Sequence, residues 1–175
     1  MHRRILFPVV ILCLVLLLSC GNRHDHSDKM IFHYNESSGI TSLDPAFASG
    51  QAAIWPCNLI YNGLVDLDDS LHIVPAIAKS WEISDDGLIY TFHLRTDIHF
   101  QNTDDITFPK SRRVTAQDFV YSFNRIVDPN VASPGSWIFQ KVKRDKEDKA
   151  QFIALNDSTL QIVLSEIQPP FLGVL

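Results

Sequence analysis

Ser84-Asp85-Asp86-Gly87 stands between two runs rich in β-branched and aromatic residues, 81–83 and 88–94, and this arrangement narrows the folds open to the chain more than any other. Asp-Gly between apolar runs is a strong hairpin signal, because Gly enters positive φ at no steric cost and Asp tolerates it. The second run alternates. Leu88, Tyr90, Phe92 and Leu94 point one way, and Ile89, Thr91, His93 and Arg95 point the other. Strict alternation reads as a strand with one packed face, so the sheet built here is apolar and aromatic on one side and polar on the other.

Two further hairpins have the same grammar. Residues 64–67 and 71–74 flank Asp68-Asp69-Ser70, and residues 152–155 and 159–164 flank Asn156-Asp157-Ser158. Between them the pattern turns helical. Thr115 is placed to cap a helix and Asp118 sits in its first turn, where negative charge is favoured. Phe119, Val120, Phe123, Ile126 and Val127 recur at helical spacing as one stripe, and Asp128-Pro129 ends it. Residues 51–64 read as a second helix, bent at Pro56, which lacks a backbone donor, and closed by Gly63 in a left-handed turn. Trp55 and Tyr61 on that helix read as core residues rather than a stacking platform. Residues 30–34 read as a short buried strand and 131–139 as loop. Ser111-Arg112-Arg113 reads as a solvated bend, and the charge run at 141–149 as a solvated face.

The first 29 residues follow a different logic. Met1-His2-Arg3-Arg4 is a basic start, and residues 5–18 are apolar but shorter than the roughly 20 residues a spanning helix needs. Ser19-Cys20-Gly21 resembles a bacterial lipobox, in which the cysteine thiol carries lipid and becomes the mature N-terminus. The expectation is a lipoprotein signal peptide at 1–19 with Cys20 as the lipidation site. An uncleaved anchor or a simple secretory signal is the alternative. Residues 20–29 read as a flexible polar tether, and His24 and His26 within it lack the three or four convergent ligands of a metal site.

Composition excludes several function classes. The formal charge is −5, and the leader holds Arg3 and Arg4 but no acid, so the remainder is more acidic still. Nucleic acid as a partner would want a basic face instead. The three cysteines leave no disulfide framework once the leader is set aside, and Cys57 reads as a small buried hydrophobe. There is no nucleophile–base arrangement, phosphate-cradling Gly loop or metal cluster, so the chain reads as a non-enzyme without cofactors.

Residues 75–95 resemble the segment P-x-L-A-x-S-W-x-x-S-D-D-G-x-x-Y-T-F-x-L-R of the family 5 extracellular solute-binding proteins, the peptide receptors of ABC importers. Ile77 stands where Leu is usual. Four other stretches are similar to the same family: Ser42-Leu43-Asp44-Pro45, residues 59–65, Val114 to Pro129, and Gln168 to Leu172. The resemblance implies an α/β fold of the class II periplasmic-binding-protein type. Of this, residues 30–175 would be an incomplete, N-terminal part: the first strand of lobe I and an accessory subdomain of hairpins and helices. Relatives run to several hundred residues, so the chain reads as an N-terminal fragment. In the family the segment before S-L-D-P lines the cleft and pairs with bound peptide as an added strand. Carried over, the ligand-binding positions are Ser37, Ser38, Gly39 and Ile40. The implied protein is monomeric, exported and lipid-anchored to a bacterial membrane, at the periplasm or cell surface. It captures oligopeptides or dipeptides and delivers them to an ABC permease. A receptor of the same fold for nickel, haem or oligosaccharide, or a truncated non-binding lipoprotein, is the alternative reading.

Overall fold

The computed structural model describes residues 31–102 and 107–175. The readings of residues 1–19 as signal peptide and 20–29 as tether, with Cys20, His24 and His26, lie outside these residues. Residues 31–35 belong to a unit separate from residues 36–175 and carry no helix or strand. The strand expected at 30–34 is therefore not formed at 31–34. An apolar run becomes a strand only where a second strand offers it a ladder.

The Asp-Gly hairpin is β3 and β4, in a unit whose first two strands are β1 (Val65–Leu67) and β2 (Ile73–Pro75). β3 (Ala78–Ile83) pairs antiparallel with β4 (Ile89–Leu94), Trp81 opposite Phe92 and Ile83 opposite Tyr90, with a bulge between Ala78 and Ser80. Gly87 has φ +70° at the turn, as the sequence requires. The Ser84 hydroxyl donates to Asp86 Oδ1 at 2.5 Å and accepts the Ile89 N–H at 2.9 Å, so the turn is closed by side chains as well as backbone. β5 (Phe152–Asn156) and β6 (Thr159–Val163) form the third hairpin, and β6 docks antiparallel on β4. The resulting four-stranded sheet has the order β3-β4-β6-β5.

Register places the apolar side chains on one face. Phe92 lies opposite Leu160, Tyr90 opposite Ile162, and Phe152 opposite Ile162 on the far side. Phe92, Leu160 and Ile162 are fully buried. The polar face carries Gln161, whose Nε2 donates to Thr91 Oγ1 at 3.2 Å, and His93, 3.2 Å from Glu82 Oε1. Of the two α-helices among the described residues, α1 (Gln51–Ile60) and α2 (Ala116–Val127), α2 covers the apolar face at the β5–β6 end. All five residues of its predicted stripe pack on the core. Phe123 meets Phe139 and Phe152 with ring centroids 4.8 and 5.4 Å apart, and those two rings are 5.0 Å apart in a T-shape. Such aromatic pairs add about 1 kcal/mol each beyond their burial.

The start of α2 is held from two directions. Asp118 Oδ2 accepts the Thr115 N–H at 2.8 Å, half of a capping box. The Ala116 N–H, one of the helix's orphan donors, reaches the Asp157 carbonyl in the β5–β6 turn at 2.8 Å. Asp128 closes the helix with extended backbone, as a residue before proline must.

Several expectations are corrected. α1 stops at Ile60 rather than at residue 64, and Gly63 does not take a left-handed turn. Its missing side chain serves close approach instead, because a Cβ there would lie 3.0 Å from the Val65 carbonyl oxygen. Trp55 and Tyr61 are exposed at 56% and 50%, while Ala53, Pro56 and Cys57 supply the buried side of α1. Leu71 is a turn residue with φ +63°, so β2 begins two residues later than expected. Residues 131–139 contain a 3-10 helix, Ser136–Phe139, which delivers Phe139 to the core. Ser111-Arg112-Arg113 is a bend with Ser111 and Arg113 exposed, as expected, but Arg112 is half-buried and both arginines are engaged. Arg112 lies over the Phe100 ring at 4.9 Å and donates to Asp118, and Arg113 bridges His99 and pairs with Asp157 at 3.2 Å.

Candidate ligand-binding segment

Residues 36–44 carry the sequence-predicted site. Ser37 and Ser38 form a turn, and the Ser38 N–H donates to Glu36 Oε1 at 3.1 Å. Gly39 follows at φ +71° with open space around its Cα. Ser37, Ser38, Gly39 and Ile40 are all exposed, and they lie outside every helix and ladder. The structure brings these four positions together in one surface segment whose peptide groups have no strand partner among the described residues. That is the state a segment must have before an extended ligand can add to it.

The segment ends in a compact knot that explains Ser42-Leu43-Asp44-Pro45 chemically. The Ser42 hydroxyl accepts the Asp44 N–H at 3.1 Å, and Asp44 Oδ1 accepts the Ala46 N–H at 3.0 Å. Asp44 thereby caps the 3-10 helix Pro45–Phe47, with Pro45 at the position where a missing N–H costs nothing. The same carboxylate receives a two-pronged grip from α2. Arg125 Nη1 donates to Asp44 Oδ1 at 2.6 Å and Nη2 to Oδ2 at 2.5 Å. Arg125 holds the Asp44 carboxyl below the usual carboxylate range, and the Ala46 N–H adds to this against desolvation. The Asp44 charge adds to burial in pushing the Cys57 thiol up.

Asp44 and Arg125 are the residues that spacing did not single out. Asp-Pro signals a turn and Arg125 sits in a helical run, but nothing local says that residues 81 apart meet. A second concave region, about 500 Å³, lies between Tyr61, Ile98, Phe100, Phe108, Val114 and Phe119. None of residues 37–40 lines it. Among the described residues no group of three or more His, Cys, Asp and Glu could hold a metal, and no helix is long and apolar enough to cross a membrane.

Residues 72–175 match the family described as bacterial extracellular solute-binding proteins, family 5 Middle. The chain is 33% identical over 159 residues to the periplasmic oligopeptide-binding protein OppA of Escherichia coli, covering 85% of this chain and 28% of that one. It is 40% identical over 121 residues to heme-binding protein A of Haemophilus influenzae, covering 66% and 22%. Among solved structures, the substrate-binding domain of an oligopeptide ABC transporter from Bacillus anthracis superposes with a TM-score of 0.70 at 27% identity, over 84% of this chain and 28% of that chain. The chain thus spans under a third of the length of these relatives.

Proposed function

The chain belongs to the bacterial extracellular solute-binding proteins of family 5, and on that premise we propose that it is the N-terminal part of the substrate-binding component of an ABC importer for oligopeptides or dipeptides. Its mixed α/β architecture is part of the class II periplasmic-binding-protein fold. The similarity to oligopeptide- and dipeptide-binding proteins from several bacteria carries this reading. The open segment at 37–40 supports it, because backbone pairing grips a peptide without reading its side chains. Export through the leader, lipid attachment at Cys20 and a tether at 20–29 place the monomeric receptor at the outer side of a bacterial membrane. Capture is a hinge equilibrium biased by ligand, and the closed form is what the permease receives.

Haem is the second reading, favoured by the 40% identity to the haem-binding relative. Calorimetric titration of the protein, expressed from its full reading frame, with dialanine, trialanine and haem separates the two. Heat of binding with either peptide is expected. Haem binding without peptide binding moves the assignment to the second reading, and no binding of any of the three overturns both.

A further inference from the structure

We infer that the Asp44–Arg125 ion pair is a latch that positions residues 37–44 for ligand, so that both residues are positioning residues for capture; this rests on the reading of residues 37–40 as the ligand-binding segment. Among the described residues, 37–43 make few other contacts that would hold them. Ala46 is its buried anchor, while Ser37 to Leu43 are exposed or half-buried and join no ladder. A segment with few buried apolar contacts opens locally at low cost unless a specific contact pins it.

The Arg125 fork is that contact. Its two donors take both oxygens of one carboxylate, which fixes orientation as well as distance. The guanidinium also lies 5.8 Å from the centre of the Phe47 ring, so one side chain touches both ends of the 44–47 knot. Arg125 comes from the last turn of α2, and α2 is bolted to the sheet through Phe123, Phe139 and Phe152. The pair therefore ties an open segment of the unit to its packed core. Asp44 stands four residues from Ile40, near enough for its position to set where the 37–40 peptide groups lie.

Hydrogen exchange and trialanine titration on Arg125→Gln, Arg125→Lys and Asp44→Asn test the latch. Asn keeps an acceptor for the Ala46 N–H, so Asp44→Asn removes the charge pair and retains the cap. The expected result for Arg125→Gln is about tenfold faster exchange at the bonded amides of Asp44, Ala46, Phe47 and Ala48, the scale of one half-exposed charge-assisted contact, with β4 and β6 unchanged. Trialanine Kd rises by a similar factor while Tm barely moves. Arg125→Lys keeps the charge without the fork and falls between. The Asp44→Asn/Arg125→Gln double variant is no worse than either single variant, because both remove one interaction. Unchanged exchange at the Asp44, Ala46, Phe47 and Ala48 amides in Arg125→Gln overturns the latch whatever the ligand proves to be. Faster exchange with unchanged Kd overturns the positioning role together with the assignment of residues 37–40. If the unaltered protein takes no trialanine, the peptide reading fails while the exchange arm still decides the latch.

Discussion

The sheet with α2 and the stretch from residue 36 to residue 61 are both rich in large apolar side chains, yet those side chains meet opposite fates. On the sheet, Phe92, Leu160 and Ile162 are fully buried against one another and against α2. In the earlier stretch, Ile40, Leu43, Phe47, Trp55, Leu59 and Ile60 are all exposed. The first region is held by non-directional burial spread over many contacts. The second is held by small buried residues, Ala46, Ala53, Pro56 and Cys57, and by a few polar contacts at Ser42, Asp44, Ala46 and Arg125. A region of the first kind resists change everywhere at once, and one of the second kind opens at one point. That division suits the receptor role proposed for the chain, in which a rigid body presents an accessible backbone.

The widest gap between the regions is expected from large-to-small substitutions. Phe92→Ala should cost about 3–5 kcal/mol in denaturant unfolding, because the residue has no exposed surface and lies within the hydrophobic core. Trp55→Ala, which removes a larger side chain, should stay within about 0.5 kcal/mol, since more than half of that side chain is in water. A Trp55→Ala cost above about 2 kcal/mol would break the comparison by showing that this face is covered in solution.

Two glycines in the left-handed region sharpen the contrast at fixed chemistry. Gly87, at φ +70°, sits in the β3–β4 turn, and an added Cβ would touch Ile167 Cγ1 at an ordinary 3.5 Å. Gly87→Ala therefore carries the backbone cost alone, about 1–2 kcal/mol of global stability, because the flanking ladder does not let the turn relax. Gly39, at φ +71°, has open space around it. In Gly39→Ala the same strain relaxes within the segment, so unfolding changes by less than about 0.5 kcal/mol while exchange of the Ser38 amide, bonded to Glu36, speeds up. Equal global costs would show that the segment is as rigid as the hairpin.

Asp118→Asn probes the border between the regions. It weakens the capping box and the bond from Arg112, at about 1 kcal/mol of stability measured by denaturant unfolding. No change in ligand affinity is expected, because Asp118 lies at the far end of α2 from Arg125.

The sequence was legible where structure is decided within a few residues. Asp86-Gly87 with its alternating flank, Asn156-Asp157-Ser158, and the Thr115–Asp118 start of α2 each carry their own turn or cap chemistry, and the structure keeps all three. The reading failed where partners lie far apart in the chain. Trp55 and Tyr61 look like core residues by type, but exposure depends on what packs against α1. Gly63 has the look of a helix stop, while its role is set by the chain folding back near the Val65 carbonyl. Arg112 seemed solvated until Phe100 and Asp118 came beneath it. The family's wording led to residues 37–40; the Asp44–Arg125 tie beside them needed coordinates.

The smallest effect is expected from pH, and it isolates the polar contact that defines the second region. The Asp44 carboxyl is held below its ordinary value of 3.8, first by the hydrogen bonds from Arg125, against desolvation. Tyr121 on α2 and Cys57 on α1 are the other titratable groups coupled to this pair, and Cys57, pushed up, stays neutral at acid pH. A depressed folded value means that the contribution of Asp44 is fully present above pH 3.8 and is lost as pH falls through the lower, folded value. The Ala46 amide resonance, followed by NMR from about pH 5 to about pH 2, should therefore titrate below 3.8 in the unaltered chain. In Arg125→Gln its midpoint should climb back toward the ordinary value, because the retained Ala46 bond is the weaker influence. In Asp44→Asn the titration should vanish. Identical midpoints with and without Arg125 would mean that the fork is not closed in solution, and residues 42–47 would then be held by their own short-range bonds and the buried Ala46.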